Sequence, residues 1–197
     1  MQYELKTLSD LELCALLRGE GRSRDAAFAE LYNRYSNRVF LYCRRIVGDQ
    51  EMADDIFQDT FVRFLKAASN PGTTMTNVAA YLLRIARNLS LNAKRNQKNT
   101  VPIDQLEMPE EDRSVESAEL AGLVAMALDL LPEDQREALA LQTYGGLSYE
   151  EIAEMMEIPV TSVRNWIARG KKRMREILTP YLAEDYPDTP KRKENHL

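Results

Sequence analysis

Apolar residues recur every three or four positions along most of this chain, which is the spacing that places side chains on one face of an α-helix. Alternating runs bounded by Asn-Gly or Asp-Gly, which would predict β-hairpins, do not occur. The first half of the chain predicts a short helix that is capped by Ser9 and ends near Gly19. Three longer helices are predicted at 25–47, 52–68 and 78–96. The predicted fold class is therefore all-α.

A second block of helical periodicity runs from 115 to 178. Its interruptions predict four more helices, of which the last two are short. These interruptions are Leu131-Pro132, Gly145-Gly146 and Glu157-Ile158-Pro159.

Residues 99–114 contain two prolines, several acids and little periodicity, which is typical of a linker. The sequence thus predicts two small helical domains, at 1–98 and 115–180, joined by an acidic flexible linker at 99–114. The polar tail at 181–197 is predicted to be loose.

The strongest local signal is a helix-turn-helix between Leu147 and Arg175. Ser148 followed by Glu151 is the pattern of a capping box, and the turn at 157–159 leads into a second helix. One face of that helix is apolar, and the opposite face can enter a DNA major groove. The basic side chains toward the end of the helix would then contact phosphates. A solvated basic helix would show the same pattern. The apolar face is Val160, Val163, Ile167 and Met174; the opposite face is Thr161, Asn165, Arg169 and Lys172, with Arg164 and Trp166 on the shoulders.

Two positions of this second helix have their own interpretation. Trp166 is as consistent with packing against the neighbouring helix as with DNA contact. Gly170 is interpreted as a position of close helix packing.

The helix at 78–96 also has two distinct faces. Its polar stripe combines basic, amide and aromatic side chains. Such a combination can hold phosphates, form hydrogen bonds with the edges of nucleobases and stack on a nucleobase of single-stranded nucleic acid. The polar, turn-rich loop before it, 70–77, can form a pocket for an unstacked base. A solvated amphipathic face remains the alternative. The stripe is Tyr81, Arg84, Asn88, Asn92 and Arg95, flanked by Arg87 and Lys94.

An acidic stripe on the helix at 52–68 predicts a docking face. Asp55 and Asp59 are a like-charge pair at i and i+4, which costs a few tenths of a kcal/mol. No base within the helix obviously relieves this repulsion, so a partner that supplies arginines would be favoured. A plain solubilising face is the alternative, and a metal site is disfavoured because carboxylates on one rigid helix face rarely surround a cation. The stripe is Asp54, Asp55, Gln58 and Asp59.

Composition excludes several classes of function. The chain has 197 residues and a formal charge of −5, but its basic residues are segregated. Five lysines and arginines lie in 84–98 and six lie in 158–175, and neither range contains an acidic residue. Two cysteines and the single histidine, His196, are too few for a zinc site, a disulfide framework or histidine-based catalysis. No apolar stretch is long enough to span a membrane, and no signal peptide is expected. We therefore expect no cofactor, metal, catalytic residue or small-molecule substrate.

Five segments of the sequence, which form three motifs, resemble a known family. Residues 131–138, 146–154 and 160–164 look like region 4 of bacterial RNA polymerase sigma factors of the ECF (extracytoplasmic function) group. Ala53-Asp-Asp-Ile-Phe-Gln-Asp-Thr-Phe resembles their region 2.2, and Tyr81-Leu-Leu-Arg-Ile-Ala-Arg-Asn resembles regions 2.3 to 2.4. The resemblance covers about 8–178. Tyr81 stands where the family usually has Trp, and Glu157 stands at a turn position often held by Gly.

The resemblance implies a cytoplasmic, non-enzymatic subunit that binds core RNA polymerase and promoter DNA, and that an anti-sigma factor restrains. The first domain would bind polymerase and the −10 element as melted strand, and the second would read the −35 element as duplex. The implied polymerase contacts are Asp54, Asp55, Gln58 and Asp59; the −10 contacts are Asn70, Thr73, Thr74, Tyr81, Arg84, Arg87, Asn88, Asn92 and Arg95; the −35 contacts are Thr161, Ser162, Arg164, Asn165, Trp166, Arg169, Lys172 and Arg173.

Two alternatives belong to other classes. A sigma-like decoy that binds only an anti-sigma factor would not need two acid-free basic helices. A stand-alone helix-turn-helix regulator would leave the acidic stripe and the helix at 78–96 unexplained.

Overall fold

A computed structural model describes residues 5–97 and 115–185 of the chain. Within these two ranges the chain forms eight α-helices and no β-strand, which confirms the predicted fold class. The helices are α1 (Asp10–Leu16), α2 (Arg22–Val47), α3 (Gln50–Ala68), α4 (Val78–Gln97), α5 (Val115–Asp129), α6 (Glu133–Thr143), α7 (Tyr149–Met156) and α8 (Val160–Asp185). The predicted linker and most of the predicted tail lie outside the described residues.

Helices α1 to α4 pack around one apolar core. Leu31 and Val39 of α2 are buried, and so are Phe64 of α3 and Leu82 of α4. Each of these helices turns its apolar positions inward because burying a large side chain contributes about 1.5–3 kcal/mol. The expected cap of α1 is confirmed, since the Ser9 side chain and Glu12 form a capping box.

Helices α2 and α3 both begin earlier than the sequence pattern predicted. Helix α2 starts at Arg22, three residues before the predicted position. Helix α3 starts at Gln50, because the Asp49 carboxylate accepts the backbone N–H of Met52 at 2.8 Å and caps the first turn. The apolar spacing marks only the buried part of a helix and misses a polar first turn.

The last helix corrects two predictions. Helix α8 was expected to be short, but it has 26 residues and continues through Pro180 to Asp185. Residues 181–185 are therefore helical, although the tail was expected to be loose. Proline removes one intrahelical hydrogen bond; here it lies on an exposed turn, where water can satisfy the freed carbonyl, and Thr179 donates its hydroxyl to the Arg175 carbonyl at 2.6 Å.

Helices α5 to α8 form the second group. Helix α8 packs closely against α6 at Gly170, where a Cβ atom would lie 2.6 Å from Leu139 Cδ1. The interpretation of Gly170 as a close-packing position is confirmed. None of the helices in the described ranges is both long and apolar enough to cross a membrane.

The two groups contact each other. Tyr42 of α2 is completely buried, and its hydroxyl lies 3.4 Å from the carboxylate of Glu137 on α6. Arg45 of α2 donates to the Ala125 carbonyl at 2.9 Å and to Asp129 at 3.0 Å, both on α5. The buried side chains of Tyr42, Arg45 and Glu137 therefore join the two groups.

Candidate nucleic-acid and polymerase surfaces

Helices α7 and α8 form the predicted helix-turn-helix. The capping box at its start is present: the Ser148 hydroxyl accepts the Glu151 backbone N–H at 3.2 Å, and the Glu151 carboxylate accepts the Ser148 N–H at 2.8 Å. The hydrogen bonds that the Glu151 carboxylate accepts lower its pKa, with the Ser148 backbone N–H as the main cause. The turn places Glu157 at φ 57°, in the left-handed region. That conformation favours glycine, so the turn stores strain of about 1 kcal/mol.

The outer face of α8 is free to meet a ligand. Val163 and Ile167 are buried, and this seam directs the intervening side chains outward. The predicted −35 contacts that are exposed are Thr161, Arg164, Asn165, Arg169, Lys172 and Arg173.

Two predicted −35 contacts are only partly accessible. Ser162 and Trp166 are half-buried, and Trp166 packs against the hydrophobic core. Of the two interpretations of Trp166, its position thus favours packing. Arg173 lies 3.4 Å from Glu176 and Lys172 lies 4.0 Å from it. Exposed pairs of this kind contribute at most about 1 kcal/mol, so a phosphate can replace Glu176.

The polar stripe of α4 is on the surface. Arg84, Asn88, Asn92 and Arg95 are exposed, and Arg95 donates to the Asn92 side chain at 3.2 Å. Tyr81 is half-buried, with its ring 6.5 Å from that of Phe64 in an edge-on contact. One edge of the Tyr81 ring is thus held by the core while the stripe around it faces outward.

The loop before α4 is organised by its own hydrogen bonds. The Asn70 side chain accepts the Gly72 N–H at 2.9 Å, and the Thr73 carbonyl accepts a bond from Arg18 at 3.2 Å. Thr74 is exposed and Thr73 is half-buried. The side-chain oxygen of Asn70 is therefore already engaged, whereas Thr74 is accessible.

Three basic side chains of α4 form ion pairs with carboxylates of the second group of helices. Reasoning from the sequence could not predict these pairs. Arg87, a predicted −10 contact, is half-buried and faces Glu137. The pairs are Arg84 with Glu154 at 2.8 Å, Arg87 with Glu137 at 2.6 Å, and Lys94 with Glu133.

The acidic stripe of α3 differs from the sequence interpretation in one respect. Asp59 is paired with Arg63 one turn later, at 2.9 Å, so a base within the helix does relieve the repulsion. The i, i+4 spacing of these two residues brings the side chains together on one face. Asp55 and Gln58 are exposed and Asp54 is half-buried, and none of these three forms an ion pair within the described ranges.

A cluster of aromatic rings lies beside the acidic stripe and was missed by sequence reasoning. Phe57 of α3 contacts Tyr32 and Phe40 of α2, with ring centroids 5.9 and 5.7 Å apart. Tyr32 is 38% exposed, and Val62 nearby on α3 is 49% exposed. The signal is in the sequence, since Phe57, Phe61 and Phe64 are spaced to share one side of α3; Phe61 and Phe64 are buried, whereas Phe57 lies at the edge of the core.

Within 5–97 and 115–185, no group of three or more His, Cys, Asp or Glu side chains could hold a metal ion. Cys14 and Cys43 are free and buried. Burial raises the pKa of the Cys43 thiol to about 12, which keeps it protonated and unreactive.

Comparison with known proteins identifies both groups of helices. Residues 31–100 match Sigma-70 region 2, and residues 121–174 match Sigma-70, region 4. The ECF RNA polymerase sigma factor SigE of Mycolicibacterium smegmatis is 33% identical over 165 residues, which cover 79% of this chain and 63% of that protein. The RNA polymerase sigma-H factor of Pseudomonas aeruginosa is 32% identical over 178 residues, which cover 83% of this chain and 92% of that protein.

Two solved structures are similar to the fold. One is CnrH in complex with the cytosolic domain of CnrY, with a TM-score of 0.61 and 25% identity, covering 87% of this chain and 97% of CnrH. The other is the sigma factor RpoE of Bartonella quintana in complex with the anti-sigma factor NepR, with a TM-score of 0.63 and 20% identity, covering 77% and 96%.

Proposed function

This chain belongs to the ECF sigma factors, non-enzymatic subunits that bind core RNA polymerase and direct it to promoters, and from this premise we propose how its surfaces divide that work. Residues 1–98 bind polymerase and the −10 element, residues 115–180 bind the −35 element, and residues 99–114 connect the two. The work takes place in the cytoplasm.

The outer face of α8 reads the −35 element as duplex. The carrying observation is that exposed Arg164 and Asn165 project from a helix whose opposite side, at Val163 and Ile167, is buried. A helix fixed in this way presents side chains to the major groove in one orientation, and an arginine there can bond a guanine edge through two hydrogen bonds.

The −10 element is held as single strand by α4 and the loop before it. Asn88 and Asn92 offer both donors and acceptors to base edges, and Arg84 and Arg95 lie beside them for the phosphates. Thr74 and the exposed part of Tyr81 lie at the start of this path.

Core polymerase docks on the acidic stripe of α3 and the adjoining aromatic edge. Asp55 and Gln58 supply charge and hydrogen bonds, while Tyr32 and Val62 supply apolar contact area. A charged surface next to an aromatic patch is suited to a stable interface, because the aromatic centre contributes binding energy and the charges orient the partner.

A regulatory protein of the anti-sigma class is a further partner. The similar protein CnrH was solved with the cytosolic domain of CnrY bound. Such a partner would compete for the same surfaces that polymerase or DNA uses.

The test begins with holoenzyme assembled from this chain and bacterial core polymerase. A library of random duplexes is selected for promoter-dependent transcription, and the selected −35 sequence is then compared with random DNA. We expect Arg164→Ala to lose about 1–3 kcal/mol on the selected duplex and much less on random DNA. Lys171→Ala, at an exposed base outside the proposed reading set, is the matched control and should weaken both equally. Absence of promoter-dependent transcripts would contradict the whole proposal, and equal losses for Arg164→Ala would make that residue a phosphate contact.

A further inference from the structure

The two groups of helices meet along one side of α4, through Arg84 of the stripe that is proposed to hold single-stranded promoter DNA and through Arg87 and Lys94, which flank that stripe. Three basic side chains of α4 form ion pairs with carboxylates of α6 and α7. The two residues of each pair are 39 to 70 positions apart in the sequence. The loop before α4 takes part as well: Asn77 caps α4 through its side-chain oxygen at 3.0 Å and donates its amide N–H to Glu151 at 2.5 Å.

The centre of this interface excludes water. The side chain of Glu137 is 7% exposed and that of Arg87 is 17% exposed, and they meet beside the buried hydroxyl of Tyr42. Leu83 of α4 contacts the second group at Gly145, where a Cβ atom would lie 2.4 Å from Leu83 Cδ1. Removing one partner of a buried pair leaves the other charge buried without compensation, so this centre fixes the arrangement.

The rim of the interface is wet. The Arg84 and Glu154 side chains are 50% and 74% exposed, and the Lys94 and Glu133 side chains are 28% and 62% exposed. Ion pairs at such exposed positions contribute little to stability and weaken with salt. An incoming polyanion can therefore displace the rim first and then reach the centre.

We propose that the acids of α6 and α7 are an internal substitute for DNA phosphates, which holds the chain in a closed state and competes with single-stranded promoter DNA for α4. This inference rests on the proposed function of α4. The charge of an arginine that pairs with Glu137 or Glu154 is already neutralised, so it attracts a phosphate less strongly, and the closed state lowers the apparent affinity of the chain for single-stranded DNA. Opening of the interface by polymerase would release the stripe.

The test compares two variants of the full-length chain with equal change of charge. The interface variant carries Glu133→Gln, Glu137→Gln and Glu154→Gln, which keep the shape of each side chain and remove its charge. The control variant carries Asp134→Asn, Glu150→Gln and Glu157→Gln, at exposed acids of the same helices and turn that form no ion pair within the described ranges.

Two measurements are made without polymerase at about 0.1 M salt, where the Debye length is about 10 Å. Small-angle X-ray scattering gives the radius of gyration, and fluorescence anisotropy gives the affinity for a labelled mixed-sequence single-stranded DNA. We expect the interface variant to have the larger radius of gyration and to bind the single-stranded DNA about tenfold more tightly than the control. A tenfold change follows if the fraction of chains in the open, binding-competent state rises from about a tenth to nearly one. Equal radii and equal affinities would overturn the closed state.

A second variant keeps the test decisive if the buried Glu137→Gln substitution prevents folding, as judged by circular dichroism. Glu133→Gln with Glu154→Gln alters only the exposed rim and should bind single-stranded DNA more tightly than Asp134→Asn with Glu150→Gln, a control that loses the same two charges at exposed positions. Equal affinity would overturn the inference. Promoter-dependent transcription by the wild-type holoenzyme is measured separately. Its absence would refute the proposed function, whereas equal behaviour of the variants alongside normal transcription would refute only the closed state.

Discussion

The same substitution, glycine to alanine, is expected to have opposite effects in two helices of this protein. At Gly122 in α5, a Cβ atom would meet nothing within 4 Å. At Gly170 in α8, it would lie 2.6 Å from Leu139 Cδ1 and 3.4 Å from Leu139 Cγ. Both changes gain about 1 kcal/mol of helix propensity, because alanine restricts the unfolded chain more than glycine does. Only Gly170→Ala must also displace a buried neighbour.

The difference between the two variants isolates that displacement. Overpacking a filled core costs about 1–3 kcal/mol, and 1 kcal/mol shifts the midpoint of thermal unfolding by about 2–4 °C at this chain length. We expect Gly122→Ala to raise the midpoint and Gly170→Ala to fall about 2–12 °C below it, as measured by circular dichroism.

Leu139→Ala provides a double-mutant cycle. Alone it should be destabilising by about 2–5 kcal/mol through loss of a buried side chain. Combined with Gly170→Ala, it should cost less than the sum of the two single changes, because the new methyl group enters the space that Leu139 leaves. Equal midpoints for Gly122→Ala and Gly170→Ala would show that α8 does not approach α6 as closely as described, and would refute the packing argument.

Four further outcomes are expected. Asp55→Lys should weaken association with core polymerase in a pull-down or anisotropy assay, while the control Asp25→Lys, an exposed reversal on α2, should not; equal association would remove the docking face. Asn88→Ala should impair binding to single-stranded −10 DNA more than binding to duplex, and equal effects would contradict base capture. Glu157→Gly should raise stability by up to about 1 kcal/mol through relief of its φ of 57°, and a loss in chemical denaturation would count against strain in the turn. The Ser148 backbone N–H lowers the pKa of Glu151 in the folded chain, so the ionised carboxylate stabilises the fold. This stabilisation is complete above the unfolded-chain pKa of about 4.3 and is lost as the pH falls through the lower pKa of the folded chain. Glu151→Gln should therefore weaken the fall in the free energy of unfolding at acid pH.

Features that depend on neighbouring positions were predictable from the sequence. The helical spacing and the caps at Ser9 and Ser148 each follow from residues a few positions apart. The absence of a side chain at Gly170 indicated a close approach, but not that Leu139 is the neighbour. The length of α8 could not be predicted in this way, because the residues after Pro180 are mostly polar and carry no apolar period, yet the helix continues through the proline on an exposed turn. Asp59 with Arg63 lay within reach of the same local reasoning and was overlooked.

The contacts between the two groups of helices lay beyond local reasoning. Nothing in the pattern around Glu137 distinguishes it from the acids beside it, yet it alone among the acids of α6 is buried, with Tyr42 and Arg87 as partners from the other group. Periodicity assigns a side chain to a face but does not say which other face will cover it. The sequence could therefore assign α4 a nucleic-acid surface without showing that an acidic surface of the same chain competes for it.

That competition reconciles an acidic chain with the binding of a polyanion. The formal charge of −5 would repel DNA at long range if it were spread evenly. The acids that pair with α4 instead neutralise its bases until the interface opens, while the outer face of α8 keeps its bases exposed throughout. Duplex contacts by α8 are thus compatible with the closed chain, whereas single-strand contacts by α4 require opening. We therefore expect the interface variant and its charge-matched control to bind duplex DNA with the same affinity, even where their affinities for single-stranded DNA differ.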